Sequence, residues 1–279
     1  MDIKISLTGD LGSGKSTVAK IISDQYGCET YSTGKICRAI AESKGIYDIK
    51  EMNLYMKTHP EVDKEIDDGL VALSNYEGNI IIDSRMAWHF TKGTFKVYLS
   101  CAIDVAAERI YNDNRATESY ASIEEMKQSN IQRKTAENGR YFELYGVRIF
   151  DMTNYDLVVD TTAASAKEAA EIISENCIKS QNGGKDYDGY LYPARLFPTL
   201  DTSDADDSNE VTICCYNNNF YILQGHKVVL DAIRNDEKLI PCKIATPENP
   251  EFFENYSVGD YREWFTEYKN LGRREFTRY

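Results

Sequence analysis

No apolar run in this 279-residue sequence approaches the ~20 residues needed to span a bilayer. A basic excess is missing too: 32 Lys and Arg stand against 45 Asp and Glu, for a formal net charge of −13. That balance excludes a broad surface for nucleic acid or anionic membrane, both of which need a positive field. It leaves room for a small basic pocket. The seven cysteines (Cys28, Cys37, Cys101, Cys177, Cys214, Cys215 and Cys242) form no CxxC pair and have no His at ligand spacing. A disulfide scaffold and a zinc site are thereby disfavoured, and reduced thiols in a cytoplasmic protein are expected. No internal repeat and no long low-complexity tract is present. The start alternates from Met1 to Thr8 and runs into a glycine loop, which reads as a strand and not as a signal peptide.

The remaining pattern is that of alternating strands and helices. Ile3 to Thr8 reads as a strand and Lys15 to Tyr26 as a helix, with Gly9 to Gly14 as the loop between them. Further strands are expected at Asn79–Asp83, Phe95–Leu99 and Tyr155–Asp160. Continuous apolar strands separated by helices predict a parallel sheet covered on both faces. The stretch from Ala102 to Tyr145 is long, polar and helical, and Ser165 to Ile178 closes the unit as an amphipathic helix. A polar segment with a Gly pair, residues 180–186, predicts a linker. Beyond it lie prolines, aromatics and short alternating runs, with a hairpin expected around Asn217-Asn218-Asn219. The acidic run Asp201–Glu210 lacks the glycine and terminal Glu of a calcium loop and reads as a solvated surface loop. Both sides of the linker are acidic, −7 over the first 180 residues and −6 over the rest.

The chemistry begins at Gly9-Asp10-Leu11-Gly12-Ser13-Gly14-Lys15-Ser16-Thr17, which fits G-x-x-x-x-G-K-[ST] between a first strand and a helix. Its glycines let successive backbone N–H groups converge on phosphates, helped by the positive end of the following helix. Gly9, Leu11, Gly12, Ser13, Gly14, Lys15, Ser16 and Thr17 are therefore the expected ATP-binding residues. Lys15 is expected to neutralise the β/γ oxygens during transfer, and Ser16 to complete a Mg²⁺ shell. Asp83, ending a buried strand near this loop, is a second candidate for Mg²⁺, through water. A GTPase would need an N-K-x-D element to read its base, and the sequence has none. A motor or transporter ATPase would need a longer insertion. A small phosphotransferase needs an acceptor site and a lid with arginines, and Arg109, Arg115, Arg133 and Arg140 lie in the charged helical stretch.

Here a resemblance enters. Residues 1–178 resemble the cytidylate kinase family of P-loop nucleoside monophosphate kinases, particularly its archaeal-type branch. The likeness runs through the P-loop and through Tyr31-Ser32-Thr33-Gly34-Lys35-Ile36-Cys37-Arg38. It continues in His59–Asp67, Ile82-Asp83-Ser84-Arg85, Arg133 through Arg140 to Gly146, and Tyr155–Thr161. It implies that Arg38 and Arg85 hold the acceptor's phosphate, with Ser32 and Gly34 lining that site. It also implies that Arg133 and Arg140 belong to a lid that closes on the transferring phosphoryl group, acting as catalytic residues with Lys15. Lys35 and Asp83-Ser84-Arg85 depart from the family pattern, as does the padding at Thr117–Ser122. Asp63 and Asp67, four apart on one helix face, contact the acceptor nucleoside or form a solvated face.

Residues 187–279 resemble a ParB-like (sulfiredoxin-like) domain through Tyr190–Pro193, Phe220–His226 and Ile240–Ile244. Members of that superfamily carry G-H-x-R at a helix start; here the loop reads Gly225-His226-Lys227-Val228, without the Arg. His226 is then either a structural cap or a ligand. Arg273, Arg274 and Arg278 form the local basic cluster near the end and read as solvated.

The expected architecture is α/β: a P-loop NTPase three-layer parallel sheet with a helical lid over residues 1–179, a linker at 180–186, and a smaller α+β ParB-like domain over 187–279. The expected activity is transfer of a phosphoryl group from ATP to CMP or dCMP with Mg²⁺. The alternatives are a nucleotide-sensing regulator whose second half contacts a partner, and a kinase of another small acceptor. Small-molecule nucleotides are the expected partners, with no nucleic acid and no membrane.

Overall fold

The computed structural model describes residues 2–46, 51, 55–56, 58–113, 120–201, 203–257 and 264. Arg115, the first part of the Thr117–Ser122 padding, and Arg273, Arg274 and Arg278 lie outside the described residues.

The chain opens with β1 (Lys4–Gly9), α1 (Lys15–Tyr26), β2 (Glu29–Ser32) and α2 (Thr33–Ser43). Then follow α3 (Pro60–Ala72), β3 (Ile80–Asp83), α4 (Ala87–Phe90), β4 (Phe95–Ser100) and α5 (Ile103–Asn112). The long α6 (Ile123–Tyr145), β5 (Leu157–Asp160) and α7 (Ala166–Gln181) complete the region expected to be the kinase. Strands pair in parallel in the order β2-β3-β1-β4-β5. β1 sits near the middle, and its C-terminal end delivers the glycine loop.

Strand alternation builds the layers. Ile5, Leu7, Ile81, Val97, Leu99, Leu157 and Val159 pack on one face against Val18, Ala19 and Ile22 of α1 and Ala169, Ala170 and Ile173 of α7. On the opposite face Ile80, Ile82, Tyr98 and Val158 pack with Leu70, Trp88 and Tyr155. Helix ends carry ordinary capping chemistry. Ser165 and Glu168 form a reciprocal capping box on α7, and Gly27 ends α1 in the left-handed region. α6 is capped by Ser122, whose hydroxyl accepts from the Glu125 N–H at 3.1 Å.

The remainder comprises β6 (Gly189–Leu191), β7 (Leu196–Phe197), β8 (Thr212–Tyr216), β9 (Asn219–Gln224), α8 (His226–Arg234), β10 (Ile240–Ala245) and α9 (Pro250–Glu254). The expected hairpin is β8–β9, turned by Asn217 and Asn218, both at positive φ. The boundary expected at 180–186 falls where α7 ends and the chain turns into β6. The sheet crosses it without a break. β6 pairs in parallel with β5 through Val158↔Gly189, β10 runs antiparallel to β6, and β8, β9 and β7 extend the sheet to ten strands. The core is shared as well: Leu191, Leu196, Ile213, Phe220, Ile222 and Val229 join the cluster that contains Tyr98, Ile149 and Tyr155.

One expectation is corrected. The acidic loop at 201–210 is not wholly solvated. Asp207 is 92% exposed, but Asp206 turns inward. Asp206 accepts hydrogen bonds from the Gly225 N–H at 2.8 Å, the His226 N–H at 3.2 Å and His226 Nδ1 at 2.7 Å. The start of α8 is thus capped by the chain's own carboxylate.

Candidate active site

β1 ends on Gly9, where a Cβ would lie 2.4 Å from the Leu99 carbonyl oxygen. Only glycine lets β1 and β4 approach so closely while the loop turns out of the sheet. Gly12, at φ +76°, presses on α5 in the same way, with a Cβ falling 2.7 Å from the Ala106 carbonyl. These contacts fix the loop in front of the α1 N-terminus, where Ser16 and Thr17 are exposed. Behind it, Thr161 Oγ1 donates to the Ser13 carbonyl at 3.0 Å and Arg109 Nη2 donates to the Thr161 carbonyl at 2.8 Å.

Lys15 folds back over the loop, its Nζ donating to the carbonyls of Gly9 at 2.8 Å and Asp10 at 2.7 Å. Burial, together with the nearby Arg85, brings the Lys15 ammonium down to about 7, with Asp83 and Asp10 opposing. A phosphate placed on the loop would reverse that shift, because it supplies the anionic partner that the carbonyls do not.

Arg85, just beyond β3, donates to the Gly9 carbonyl and places Nε 3.0 Å from Glu137 of α6. The other Glu137 oxygen takes Arg133 Nε at 2.9 Å. Burial works against both charges, but the pairing wins. Glu137 lies below the ordinary carboxylate range, and Arg85 stays a firm cation. α6 therefore lies across the P-loop and carries one carboxylate that binds two of the sequence-predicted arginines.

One turn away on the same helix face, Lys134 Nζ lies 2.8 Å from Asp10 Oδ1. Asp10 also accepts from Tyr98 Oη at 2.7 Å and from the Cys101 N–H at 2.9 Å. Burial raises the Asp10 carboxyl, and Lys134 with these donors brings it below its ordinary value. Asp10, Leu11, Arg85, Asn130, Lys134, Glu137 and Phe150 line one small pocket between loop and lid.

The residues expected to hold the acceptor gather on the other side. Ser32 ends β2 opposite Asp83 of β3 and begins α2. A Cβ on Gly34 would stand 3.6 Å from Arg38 Nη1 and 3.9 Å from Ser32 Oγ, so these three share one patch. Arg38 is exposed. Arg140 Nη2 donates to both oxygens of Asp63, and Tyr145 Oη donates to Asp67 at 2.6 Å. Burial raises the Asp67 carboxyl. Asp63 and Asp67 thus engage the lid and are not a solvated face. Cys37 ties this side together: burial and Asp63 raise its thiol, while Arg140 and Arg38 act to lower it.

The structure brings Lys15, Arg85 and Arg133 to one cluster and Arg38, Gly34 and Ser32 to another, with Arg140 beside the second. Sequence reasoning missed Asp10, Asn130, Lys134 and Glu137. The lid four are spaced at 130, 134, 137 and 141 with Tyr141 included, a helical stripe that its charged flanks obscured.

A family described as an AAA domain matches residues 5–131. The cytidylate kinase of Pyrococcus horikoshii is 33% identical over 170 residues, covering 61% of this chain and 85% of that protein. That of Sulfolobus acidocaldarius is 34% identical over 173 residues, covering 61% and 92%. This chain belongs to the cytidylate kinase family. An S-adenosylmethionine-dependent nucleotide dehydratase of Lacinutrix mariniflava is 37% identical over 180 residues, or 64% of this chain. The chain spans only 37% of that relative's length. Membership settles the P-loop phosphotransferase fold, and it fits the glycine loop, the lid and the five-strand parallel order described above. Among the described residues no helix is long and apolar enough to cross a membrane.

Proposed function

We propose that the chain transfers the γ-phosphoryl group of ATP to a nucleoside monophosphate, CMP or dCMP. The observation that carries this reading is convergence. Asp10 and Leu11 of the P-loop, Arg85 and the lid meet at one pocket, Lys15 lies within electrostatic reach of Arg85 and Glu137, and Arg38 and Arg140 lie together on the other side. Four of these cations are held by protein oxygens: Lys15 by backbone carbonyls, Arg85 and Arg133 by Glu137, and Arg140 by Asp63. Substrate phosphates replace those partners. Arg85 and Arg38 orient the acceptor's phosphate so that its oxygen attacks the γ-phosphorus in line, and Lys15 takes up charge developing on the leaving side. No covalent intermediate is needed. Both kinds of relative are named for nucleotides, which supports a nucleotide acceptor over another small metabolite.

Ser16 and Asp83 are the groups that would hold Mg²⁺. Among the described residues no cluster of three or more His, Cys, Asp or Glu side chains is present, and this fits an ion that takes its other ligands from phosphates and water. Held there, Mg²⁺ would supply positive charge that offsets the charge on the phosphates.

We further propose that residues 1–179 carry the chemistry, that 180–186 link them to the rest, and that 187–279 form a ParB-like unit whose α8 N-terminus does not take a phosphate. The support for the last point is Asp206, which occupies the α8 N-terminus. A coupled assay of ADP release against a panel of NMPs and dNMPs tests the whole reading. Turnover confined to CMP and dCMP is expected. Tight ATP binding without turnover on any acceptor would instead favour a nucleotide sensor.

A further inference from the structure

One side chain from beyond residue 186 is built into the strand ends behind the P-loop. Arg195 Nη1 lies 2.8 Å from Asp160 Oδ2, 3.0 Å from Ser100 Oγ and 3.3 Å from Thr162 Oγ1. Ser100 ends β4 and Asp160 ends β5. Asp160 Oδ1 in turn accepts from the Thr162 N–H at 2.8 Å, and Thr162 Oγ1 accepts from the Ala102 N–H at 2.9 Å. The guanidinium thus holds both residues that flank Thr161. The Thr161 carbonyl is held separately, by Arg109 Nη2 at 2.8 Å. A buried pair such as Arg195 with Asp160 is a weak source of stability in itself, since well-packed apolar residues often serve as well, and what it does fix is geometry.

Thr161 is where this network meets the P-loop. Its Oγ1 lies 3.0 Å from the Ser13 carbonyl and 3.0 Å from the Ser100 carbonyl, and the residue is buried. The Ser13–Gly14 peptide is planar and trans, so its C=O and N–H point in opposite directions. Ser13 is buried and Gly14 is exposed. A carbonyl drawn inward to Thr161 therefore turns the Gly14 N–H outward at the α1 N-terminus, the side on which a P-loop receives phosphate. A backbone donor aimed in advance needs no reorganisation when the anion arrives.

We propose that Arg195 is a positioning residue for the P-loop, so that the affinity of the loop for ATP depends on a side chain from beyond residue 186. This rests on the reading of the P-loop as the ATP site. Arg195 acts through Asp160 and Thr162 to hold Thr161, and through Thr161 to aim the Gly14 N–H. The second part of the chain thereby tunes nucleotide binding in the first, on the ATP side and not on the acceptor side, because Ser32, Gly34 and Arg38 belong to a different strand end and helix.

The test is made on the full chain and reads ATP affinity by calorimetry, together with the KM for ATP and for the acceptor. Arg195→Met, alone and combined with Asp160→Asn so that no buried charge is left without its partner, is compared with Thr161→Val, Asp206→Ala and the parent. The Arg195 variants and Thr161→Val are each expected to weaken ATP binding by ~10-fold and to leave the acceptor KM within about threefold. Asp206→Ala removes a cap at the start of α8, outside this network, and is expected to leave ATP affinity unchanged although it lowers stability. Unchanged ATP affinity in the Arg195 variants or in Thr161→Val would overturn the proposal, as would an equal rise in both KM values. An equal loss of affinity in Asp206→Ala would overturn it too, since general loosening would then set the loop. Where an Arg195 variant does not fold, Thr161→Val against Asp206→Ala decides on the same criteria. A parent that binds ATP but turns over no nucleoside monophosphate sinks the transfer reading alone, and the affinity comparison still decides this one.

Discussion

Arg195 Nη1 lies 2.8 Å from Asp160 Oδ2, an ion pair in which Asp160 is fully buried and the Arg195 side chain is 7% exposed. Asp160 ends β5, beside the P-loop; Arg195 belongs to the part of the chain beyond the expected linker. The same guanidinium nitrogen reaches Ser100 Oγ at 3.0 Å, at the end of β4, and the Arg195 guanidinium lies 5.4 Å from the Phe220 ring. The second part of the chain is therefore bonded into the sheet end that carries the P-loop. Arg195→Leu leaves Asp160 buried without its partner, and the loss of stability is expected to be about 3–5 kcal/mol, read as a shift in the urea midpoint. A midpoint within error of the parent would show that the pair does not hold the two parts together.

Lys15 should take up a proton when nucleotide binds. Its folded value, about 7, lies below the ordinary lysine value, so the unfolded chain binds more protons between about pH 7 and 10. The sign follows: without nucleotide, this group makes stability rise with pH across that window. Phosphates on the loop restore the ammonium. Calorimetry in buffers of differing ionisation enthalpy is expected to show uptake of up to about one proton per ATP near pH 8. Absence of uptake would place Lys15 as a full ammonium before binding. Lys15→Ala should lower turnover by at least ~10²-fold with little loss of fold.

Asp206 is held at about 2, its burial being outweighed by N–H donors from Gly225, His226 and Ser208. A depressed carboxylate stabilises the fold above its unfolded value, so this contribution is lost as pH falls from about 4 toward 2. His226, fully buried, lies below its ordinary value chiefly through burial, and it adds a loss of stability as pH falls below the ordinary histidine value of 6.5. Asp206→Ala should cost on the order of 2 kcal/mol, against ±0.5 for the exposed Asp207→Ala. The check is thermal melting at neutral pH, where equal melting temperatures for the two variants would count against the cap.

Arg38 is expected to act on the acceptor and not on ATP. It is exposed and stands beside Gly34 and Ser32, the other residues proposed to line the acceptor site. Arg38→Ala should raise the acceptor KM by ~10-fold or more and leave the ATP KM nearly unchanged. Equal effects on both substrates would remove it from the acceptor site.

These predictions also mark what the sequence discloses. Phosphate chemistry dictates both residue types and spacing in the P-loop, so Gly9 to Thr17 could be read directly. The buried strands β1, β3, β4 and β5 were legible as apolar runs. β2 was not: Glu29 and Thr30 are exposed at the sheet edge, and four residues carry no period. The sheet's continuation was hidden for a similar reason, since β6 has three residues and β7 two. α6 was legible as a helix, but its charges lie on most faces, and only packing against the loop selects Asn130, Lys134 and Glu137. The pairing of Arg195 with Asp160 and the capping by Asp206 are tertiary contacts between residues far apart in the chain, which no local pattern announces.

The most direct measurement follows the label. ATP carrying ³²P in its γ-position is incubated with CMP, Mg²⁺ and the parent protein or Lys15→Ala, and the products are separated. The account predicts label in CDP with the parent and none with Lys15→Ala. Label recovered only in ATP or inorganic phosphate with every nucleoside monophosphate tried would contradict it.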